Sequence, residues 1–337
     1  MSSKFTKIVI GLFFTFLAMS YFVYAKWPDE YVHIVFCDVG QGDSLLIYQG
    51  FSQILIDSGP DTTVLSCLNS HLPFWDRKIE LVVATHYDSD HIGGLESVFD
   101  FYDIASVLTL PFASDTNNFE TLKEALEEST KQGLIIEKPF LGQTMRFSSG
   151  VMLTVVSHLS SDRENMQFLQ EKLALLGAGE MNTLINTSQF AAGNEVKNSV
   201  LTEKGLSDSF FRDETSGESK NDLSIALLLT YHNTKILLTG DMEKKGEEAM
   251  EAQGLTSQVN ILKVGHHGSK SSSDPGFIKE LRPEFAVVSV GKNNKYDHPS
   301  TETLEILSLL GVRIMRTDQL GDREVITDGK KYWFPEK

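Results

Sequence analysis

Cysteine is nearly absent from this sequence: Cys37 and Cys67 are the only two, and no Cys-x-x-Cys pair exists. A thiolate zinc site is thereby excluded, since it needs several sulfur ligands at short spacing. An oxidising compartment permits a Cys37–Cys67 disulfide, and two buried free thiols are the alternative. Basic residues are in deficit as well. Thirty Lys and Arg stand against 46 Asp and Glu, for a net charge of −16, and the acid is spread along the chain rather than gathered in a tail. Such a surface repels nucleic acid at long range unless a basic patch or a bound metal offsets it locally. Long apolar runs are missing after residue 25, which excludes a membrane channel of several spans. No internal repeat of solenoid length is found.

With 41% hydrophobic residues in 337, the chain can bury a large core, and global disorder is excluded. Lys4 and Lys7 precede an apolar run over residues 8–25, and Val23-Tyr24-Ala25 fits a small-x-small cleavage site. That pattern is a secretion signal, with an uncleaved anchor as the alternative. Either reading puts the remainder outside the cytoplasm, secreted or periplasmic in the first case and membrane-anchored in the second. Without Lys4 and Lys7 the net charge moves from −16 to −18.

Apolar periodicity predicts strands over residues 31–37, 45–48, 53–56, 81–85 and 107–110, and helices over 63–72, from 93 to about 101, and over 119–133. A hairpin is expected at 145–147 and 152–156. Residues 162–176 fit an amphipathic helix, and 182–220 are polar, so about 159–220 reads as an insertion. A second hairpin, 224–231 with 235–238, leads to a helix at 243–253, a strand at 259–264, a helix at 275–281, a strand at 285–290 and a helix at 301–310. Short strands at 312–316, 324–327 and 331–334 close the chain. Consecutive strands followed by alternating strands and helices predict β-layers with helices outside, not a simple alternating Rossmann sheet.

Three predicted strands end in residues that suit hard-to-borderline metals. The first gives His86-Tyr-Asp-Ser-Asp-His91, with four possible ligands within six residues. Two His and two Asp in one turn repel and desolvate each other without a cation, and His with carboxylate suits zinc, manganese or iron. The second end gives Asp241 and the third gives His266 and His267. Ligands in open α/β layers gather outside strand ends. Asp241 also reads as a helix cap and Asp57 as a turn residue. His33, His71 and His232 have no ligand-like neighbours.

The run from Thr85 to Gly94 resembles the His-x-His-x-Asp-His signature of metallo-β-lactamase-fold hydrolases, with Asp88 in place of the second His. That replacement is similar to the extracytoplasmic metallo-β-lactamase domain of the bacterial ComEC competence family. The likeness continues through Asp38-Val-Gly-Gln-Gly-Asp-Ser44, Leu55-Ile-Asp-Ser-Gly-Pro60, Asn221-Asp-Leu-Ser224 and Leu237-Leu-Thr-Gly-Asp-Met-Glu243. It goes on through Leu262-Lys-Val-Gly-His-His-Gly-Ser-Lys-Ser-Ser-Ser273, Ser289-Val-Gly291, Tyr296-Asp-His-Pro299 and Arg316-Thr-Asp318. It covers about residues 31–334 with one interruption. The implied fold is an α/β metallo-β-lactamase αββα sandwich over 31–337, preceded by a leader or anchor at 1–25 and carrying the insertion at 159–220 as a possible lid.

The resemblance also implies a site. His86 and Asp88 would bind a first divalent metal, Asp90 and His91 a second, and Asp241 would bridge. His267 would complete the set, with His266 as its alternative. The family's third His of the first site has no clear match; His158, Asp222, Asn221 or water would stand there. A carboxylate in place of an imidazole shifts the expectation toward Mn2+, with Zn2+ kept equal. A metal-activated hydroxide would be the nucleophile, with Asp90 orienting it. Lys263, His266, Ser269, Tyr296 and His298 would contact substrate or deliver a proton, and Asp38, Gln41 and Asp43 would orient ligands. A phosphodiester, including single-stranded DNA, is the leading substrate, with Lys263, Lys270, Lys292 and Lys295 as a basic path. A secreted esterase or lactonase, or a metal-binding protein without catalysis, are the alternatives.

Overall fold

The computed structural model describes residues 3–156, 187–189, 210–211 and 220–335. Two eight-stranded sheets are stacked between helices. The first runs, edge to edge, Tyr332–Trp333, Arg323–Thr327, Val32–Phe36, Leu45–Gln49, Ser52–Ile56, Leu81–Ala84, Ser106–Thr109 and Ile135–Glu137. The second runs Thr187–Gln189, Thr144–Arg146, Met152–Val155, Leu227–Tyr231, Thr234–Leu238, Ile261–Lys263, Phe285–Val288 and Arg313–Arg316.

The layering follows from alternation along the strands. In the second sheet Ile236, Leu238, Ile261, Phe285 and Val287 join the core shared with the first sheet. Their neighbours Leu237, Leu262, Ala286 and Val288 join a separate core with Met250, Phe277, Leu281 and Leu307. Those last four lie on the helices Lys244–Ala252, Pro275–Leu281 and Thr301–Leu309. The far face of the first sheet is covered by Thr63–His71, Leu95–Phe101 and Asn117–Thr130. Strands buried on both faces explain the near-continuous apolar runs. This is the expected αββα sandwich.

Both sheets follow one plan. Antiparallel pairs give way to parallel pairs from Ser52–Ile56 onward in the first sheet and from Thr234–Leu238 onward in the second, whose far edge adds Thr187–Gln189 parallel to Thr144–Arg146. A parallel pair needs a crossover, and a helix supplies it in both runs from Ser52–Ile56 and from Thr234–Leu238. The carboxyl ends of the parallel strands in each sheet therefore share one edge, where ligands gather.

Most elements lie within a residue or two of expectation. The strand expected at 224–231 starts at Leu227, because Asn221–Leu223 is a 3-10 turn and the Ser224 hydroxyl accepts from the Asp241 amide at 3.2 Å. The helix expected from 93 is two pieces, Ser89–Ile92 and Leu95–Phe101. Ile135–Glu137 was not expected as a strand, since three residues between Gly133 and Pro139 are too short to show a period. The expected helix at 162–176 and most of the insertion lie outside the described residues. Two pieces of the insertion are described: Thr187–Gln189 pairs with Thr144–Arg146, and Phe211 packs on Tyr87 and Phe119.

Cys37 and Cys67 are bonded, with Cα atoms 5.8 Å apart. In the chain-entropy account, closing a loop of this size stabilises the fold by about 3–4 kcal/mol. Among the described residues one helix is long and apolar enough to cross a membrane: Lys7–Tyr24, within Ser3–Ala25, with none of that window buried.

Candidate metal centre

Asp57, at the end of Ser52–Ile56, organises the turn after the strand Leu81–Ala84. It is 1% exposed and accepts from the Thr85 amide at 2.8 Å, the Thr85 hydroxyl at 2.7 Å and His91 Nδ1 at 2.8 Å. The Thr85 hydroxyl donates its one proton to Asp57, so it is left as an acceptor for His86 Nδ1, 3.2 Å away. One buried carboxylate thus orients two imidazoles. On the other side of the cleft, His267 Nδ1 donates to the Ser289 carbonyl at 3.0 Å. All three rings spend Nδ1 on the protein and turn Nε2 inward, the arrangement of metal-binding imidazoles.

Close backbone packing sets the spacing. A Cβ on Gly42 would collide with the Asp90 carbonyl, which accepts from the Asp43 amide at 3.1 Å. Glycine is therefore needed to bring Asp43 beside the turn. After Ile261–Lys263 the chain enters three successive left-handed residues: His266 (φ 45°), His267 (φ 51°) and Gly268 (φ 79°). The two non-glycine positions cost about 1–2 kcal/mol each. The Ser269 amide donating to the His266 carbonyl at 2.8 Å and the Ser300 amide donating to Gly268 at 2.8 Å hold the bend. It sends His267 inward, 1% exposed, and leaves the His266 side chain 26% exposed at the rim.

The groups converge. His91 Nε2 lies 3.2 Å from Asp241 Oδ1, and His267 Nε2 lies 3.4 Å from Asp241 Oδ2 and 3.2 Å from Asp90 Oδ2. His86 Nε2 is 3.8 Å from Asp88 Oδ2, and the His86 and His91 rings are 4.0 Å apart. Asp241 does not cap the helix Lys244–Ala252, whose N-cap is Glu243. His86, His91 and Asp241 form one group able to share an ion, and Asp90, His91 and His267 another. A further group, Asp43, Asp241 and His267, shares the same space.

Burial opposes the charge on His91, but the carboxylates of Asp241 and Asp57 outweigh it and push its pKa well up. His267 likewise overcomes burial through Asp241 and Asp43 and reaches about 10. His86 has no such partner at bonding distance; burial, reinforced by the charge on His91, lowers it to about 3. Burial also opposes ionisation of Asp241, yet His267 and His91 hold it well below the usual range. Burial and the charge of Asp90 raise Asp88. Asp90 stays low against burial because of its bond to His267.

The donors fit divalent cations. Among the described residues, His86 Nε2, His91 Nε2, His267 Nε2, Asp241 Oδ1 and Asp43 Oδ1 are all buried, and each meets only an ionisable group of the same cluster, at 3.2–3.8 Å, in place of a well-formed hydrogen bond. Buried polar atoms without well-formed hydrogen bonds are costly, and five in overlapping clusters call for a shared charge to satisfy them. Imidazole and carboxylate are the ligand types that zinc and manganese take.

The remaining expected residues divide. Lys263 is 5% exposed, donates to the Gly240 carbonyl at 2.8 Å and pairs with Asp43 Oδ2. His266 Nδ1 lies 3.0 Å from Glu243 Oε1, and the His298 ring is 5.6 Å from the His266 ring. Tyr296 is 53% exposed and stacks on His298. Ser269 bonds Ser271. Asp222 accepts from the Glu243 and Gly246 amides, each at 3.2 Å, so it serves the following helix. Asn221 reaches Glu243 and His266, and His158 lies outside the described residues. Asp38 is exposed and caps its own turn, while Gln41 accepts from the Gly291 amide. Sequence reasoning missed Asp57 and Glu243. Asp57 ends a strand at the same edge as the other ligands, a signal that was available.

The sequence over residues 37–153 matches the Metallo-beta-lactamase superfamily. The chain is similar to ComE operon protein 3 of Bacillus subtilis (strain 168), 27% identical over 303 residues, covering 84% of this chain and 31% of that protein. It is similar to Competence protein ComA of Neisseria gonorrhoeae, 24% identical over 301 residues, covering 87% and 32%. The chain thus spans about a third of the length of these curated relatives, 31% and 32%. Among solved structures, the metallo-beta-lactamase fold protein YhfI from Bacillus subtilis superposes with a TM-score of 0.49 at 10% identity, over 85% of this chain and 96% of that one.

Proposed function

We propose, from the match of residues 37–153 to the Metallo-beta-lactamase superfamily and the similarity to part of ComEC-type competence proteins, that this chain is an exported phosphodiesterase with two divalent cations, zinc or manganese. The observation that carries the reading is the convergence of buried ligand atoms from His86, His91, His267, Asp241 and Asp43, none of them in a well-formed hydrogen bond. His86 would hold one ion, with Asp88 at the rim. Asp90, His91 and His267 would hold the second, and Asp241 would lie between them. Cations held there would supply Lewis acidity for a phosphoryl oxygen and would lower the pKa of a water toward neutral.

The protein's own groups do the rest. Asp90, with 31% of its side chain exposed, faces the mouth and orients an incoming water. Glu243 fixes His266 at Nδ1, and His298 stands beside it, so two imidazoles border the leaving-group side. Lys263 acts through Asp43 rather than on substrate, because Asp43 and the Gly240 carbonyl occupy it. Lys270, Lys292 and Lys295 are exposed on the loops that carry His266 and His298. They offset the acidic surface locally and favour an anionic substrate. Similarity to a competence protein and a competence-operon protein favours a DNA phosphodiester, single-stranded DNA first. The apolar leader and the Cys37–Cys67 bond suit an oxidising compartment outside the cytoplasm.

Purified protein with added manganese or zinc should cleave single-stranded DNA and an aryl phosphodiester, and chelation or Asp241→Ala should abolish both activities with the fold kept. Hydrolysis of a generic ester alone would point to an esterase. Stoichiometric metal with no turnover of any of the three would point to a binding protein.

A further inference from the structure

At the pole of the domain where the apolar helix joins it, aromatic side chains stand exposed. Trp27 is 60% exposed and meets the Phe51 ring edge-on at 5.5 Å; Phe51 is itself 44% exposed. Phe74 is 58% exposed, lies 5.9 Å from Phe22 of the helix and 4.9 Å from Trp75. Lys26 reaches the Ser70 carbonyl. These contacts join the end of the apolar helix to two loops of the first sheet.

Two strands run from that pole to the metal centre. Ser52–Ile56 starts at the Phe51 turn and ends at Asp57, which holds His91. Leu81–Ala84 follows Phe74 and Trp75 and leads to His86. Five residues of strand span about 17 Å. The aromatic pole and the metal centre therefore occupy opposite ends of the same strands.

An apolar helix with no residue of Lys7–Tyr24 buried needs an apolar medium, and an 18-residue window is just long enough to span a bilayer core. Trp and Tyr are enriched at the membrane–water interface, where an amphipathic ring meets both phases. Lys4 lies before the span and Lys7 opens it, and Asp29 and Glu30 follow it. Cations mark the cytoplasmic side of a span.

We infer that the helix is retained as an anchor and that Trp27, Phe51, Phe74 and Trp75 form an aromatic collar. The collar seats the domain on the outer headgroup layer of a phospholipid bilayer, with the metal centre facing away from the membrane. The occupant of the apolar surface is lipid, because the surface is continuous with the membrane span. Substrate then approaches from solvent. This holds whatever bond the centre cleaves.

The test uses the full chain reconstituted in phosphatidylcholine vesicles with bromines at defined acyl depths. The three tryptophans are Trp27, Trp75 and Trp333. With Trp75→Phe and Trp333→Phe, the emission of Trp27 should be lost mainly to the shallowest bromines. With all three replaced by Phe and Tyr296→Trp added at the rim of the metal centre, no bromine depth should reduce emission. The unsubstituted chain should also lose part of its emission to shallow bromines, which guards against a misfolded variant. An unquenched Trp27, a quenched Tyr296→Trp, or a secreted chain recovered with Lys26 as its first residue overturns the inference.

Discussion

On the floor of the metal centre, His86, His91, His267 and Asp241 are each no more than 3% exposed, and every imidazole has a fixed partner at Nδ1. At the rim, Asp88 and Asp90 expose 42% and 31% of their side chains, and His266 exposes 26%. The floor balances its own charge: Lys263 answers Asp43, and Asp57 answers His91. Among the described residues, Asp88 has no cation at bonding distance, only His86 at 3.8 Å. On the proposed function, the floor would hold cations in place and the rim would meet substrate. Floor substitutions should therefore cost metal and stability together, while rim substitutions should cost turnover with the fold kept.

The largest effect is expected at Asp57. Asp57→Ala leaves Thr85 and His91 Nδ1 without their acceptor, so metal content should drop to background by elemental analysis. Full metal retention would remove Asp57 as the organiser of the floor. Next comes Lys263→Met, which strands the buried Asp43 carboxylate and should cost about 3–5 kcal/mol in urea unfolding. Adding Asp43→Asn should recover most of that loss; two simply additive losses would show that the pair is not coupled.

Behind the rim, Glu247 is 1% exposed and accepts from the Ser273 and Asp274 amides, at 2.9 and 2.7 Å. Burial raises its pKa from 4.5 to about 7. The folded state then keeps a proton that the unfolded chain releases, so stability falls as pH rises from about 4.5 to about 7. At about 1.4 kcal/mol per unit, the loss is on the order of 3 kcal/mol. Glu247→Gln should flatten that slope in denaturation curves taken across the window. An unchanged slope would place the titration elsewhere.

A rim change should be smaller in stability. Glu243→Gln is expected to alter unfolding by about 1 kcal/mol or less. Turnover should fall roughly 10- to 100-fold with metal content kept, as for partners that orient a working imidazole. Loss of metal would move Glu243 to the floor. Far from both regions, burial lowers the His33 pKa, but its bonds to Glu324 and Asp29 override this and raise it. Its contribution is full below pH 6.5 and is lost as pH rises through the raised value. His33→Gln should remove that small alkaline loss, and an identical pH profile would deny it.

The floor was more legible in the sequence than the charges that balance it. The turn His86–His91 stands out because four ligand types crowd six residues behind an apolar strand. Asp241 and the His266-His267 pair were visible as strand ends. Which of the two imidazoles points inward depends on the left-handed backbone at both, and no local pattern announces φ at a histidine. Lys263 reads as a strand-end cation open to substrate, yet its partner Asp43 is 220 positions away and reaches it only through the loop at Gly42. Asp57 looks like any Asp-Ser-Gly turn until its neighbours Thr85 and His91 are placed. The Cys37–Cys67 pairing depends on how the first strand meets the helix Thr63–His71. Periodicity gives the elements; these contacts are set by packing across the two sheets.

The central claim is that the inward Nε2 atoms of His86, His91 and His267 hold divalent cations. A crystal structure of the full chain grown with manganese or zinc, with anomalous scattering used to find the ions, tests it directly. The account predicts two strong peaks bordered by those three nitrogens and Asp241. A floor that stays without anomalous density at saturating metal, with the three imidazoles paired only to carboxylates, would contradict it.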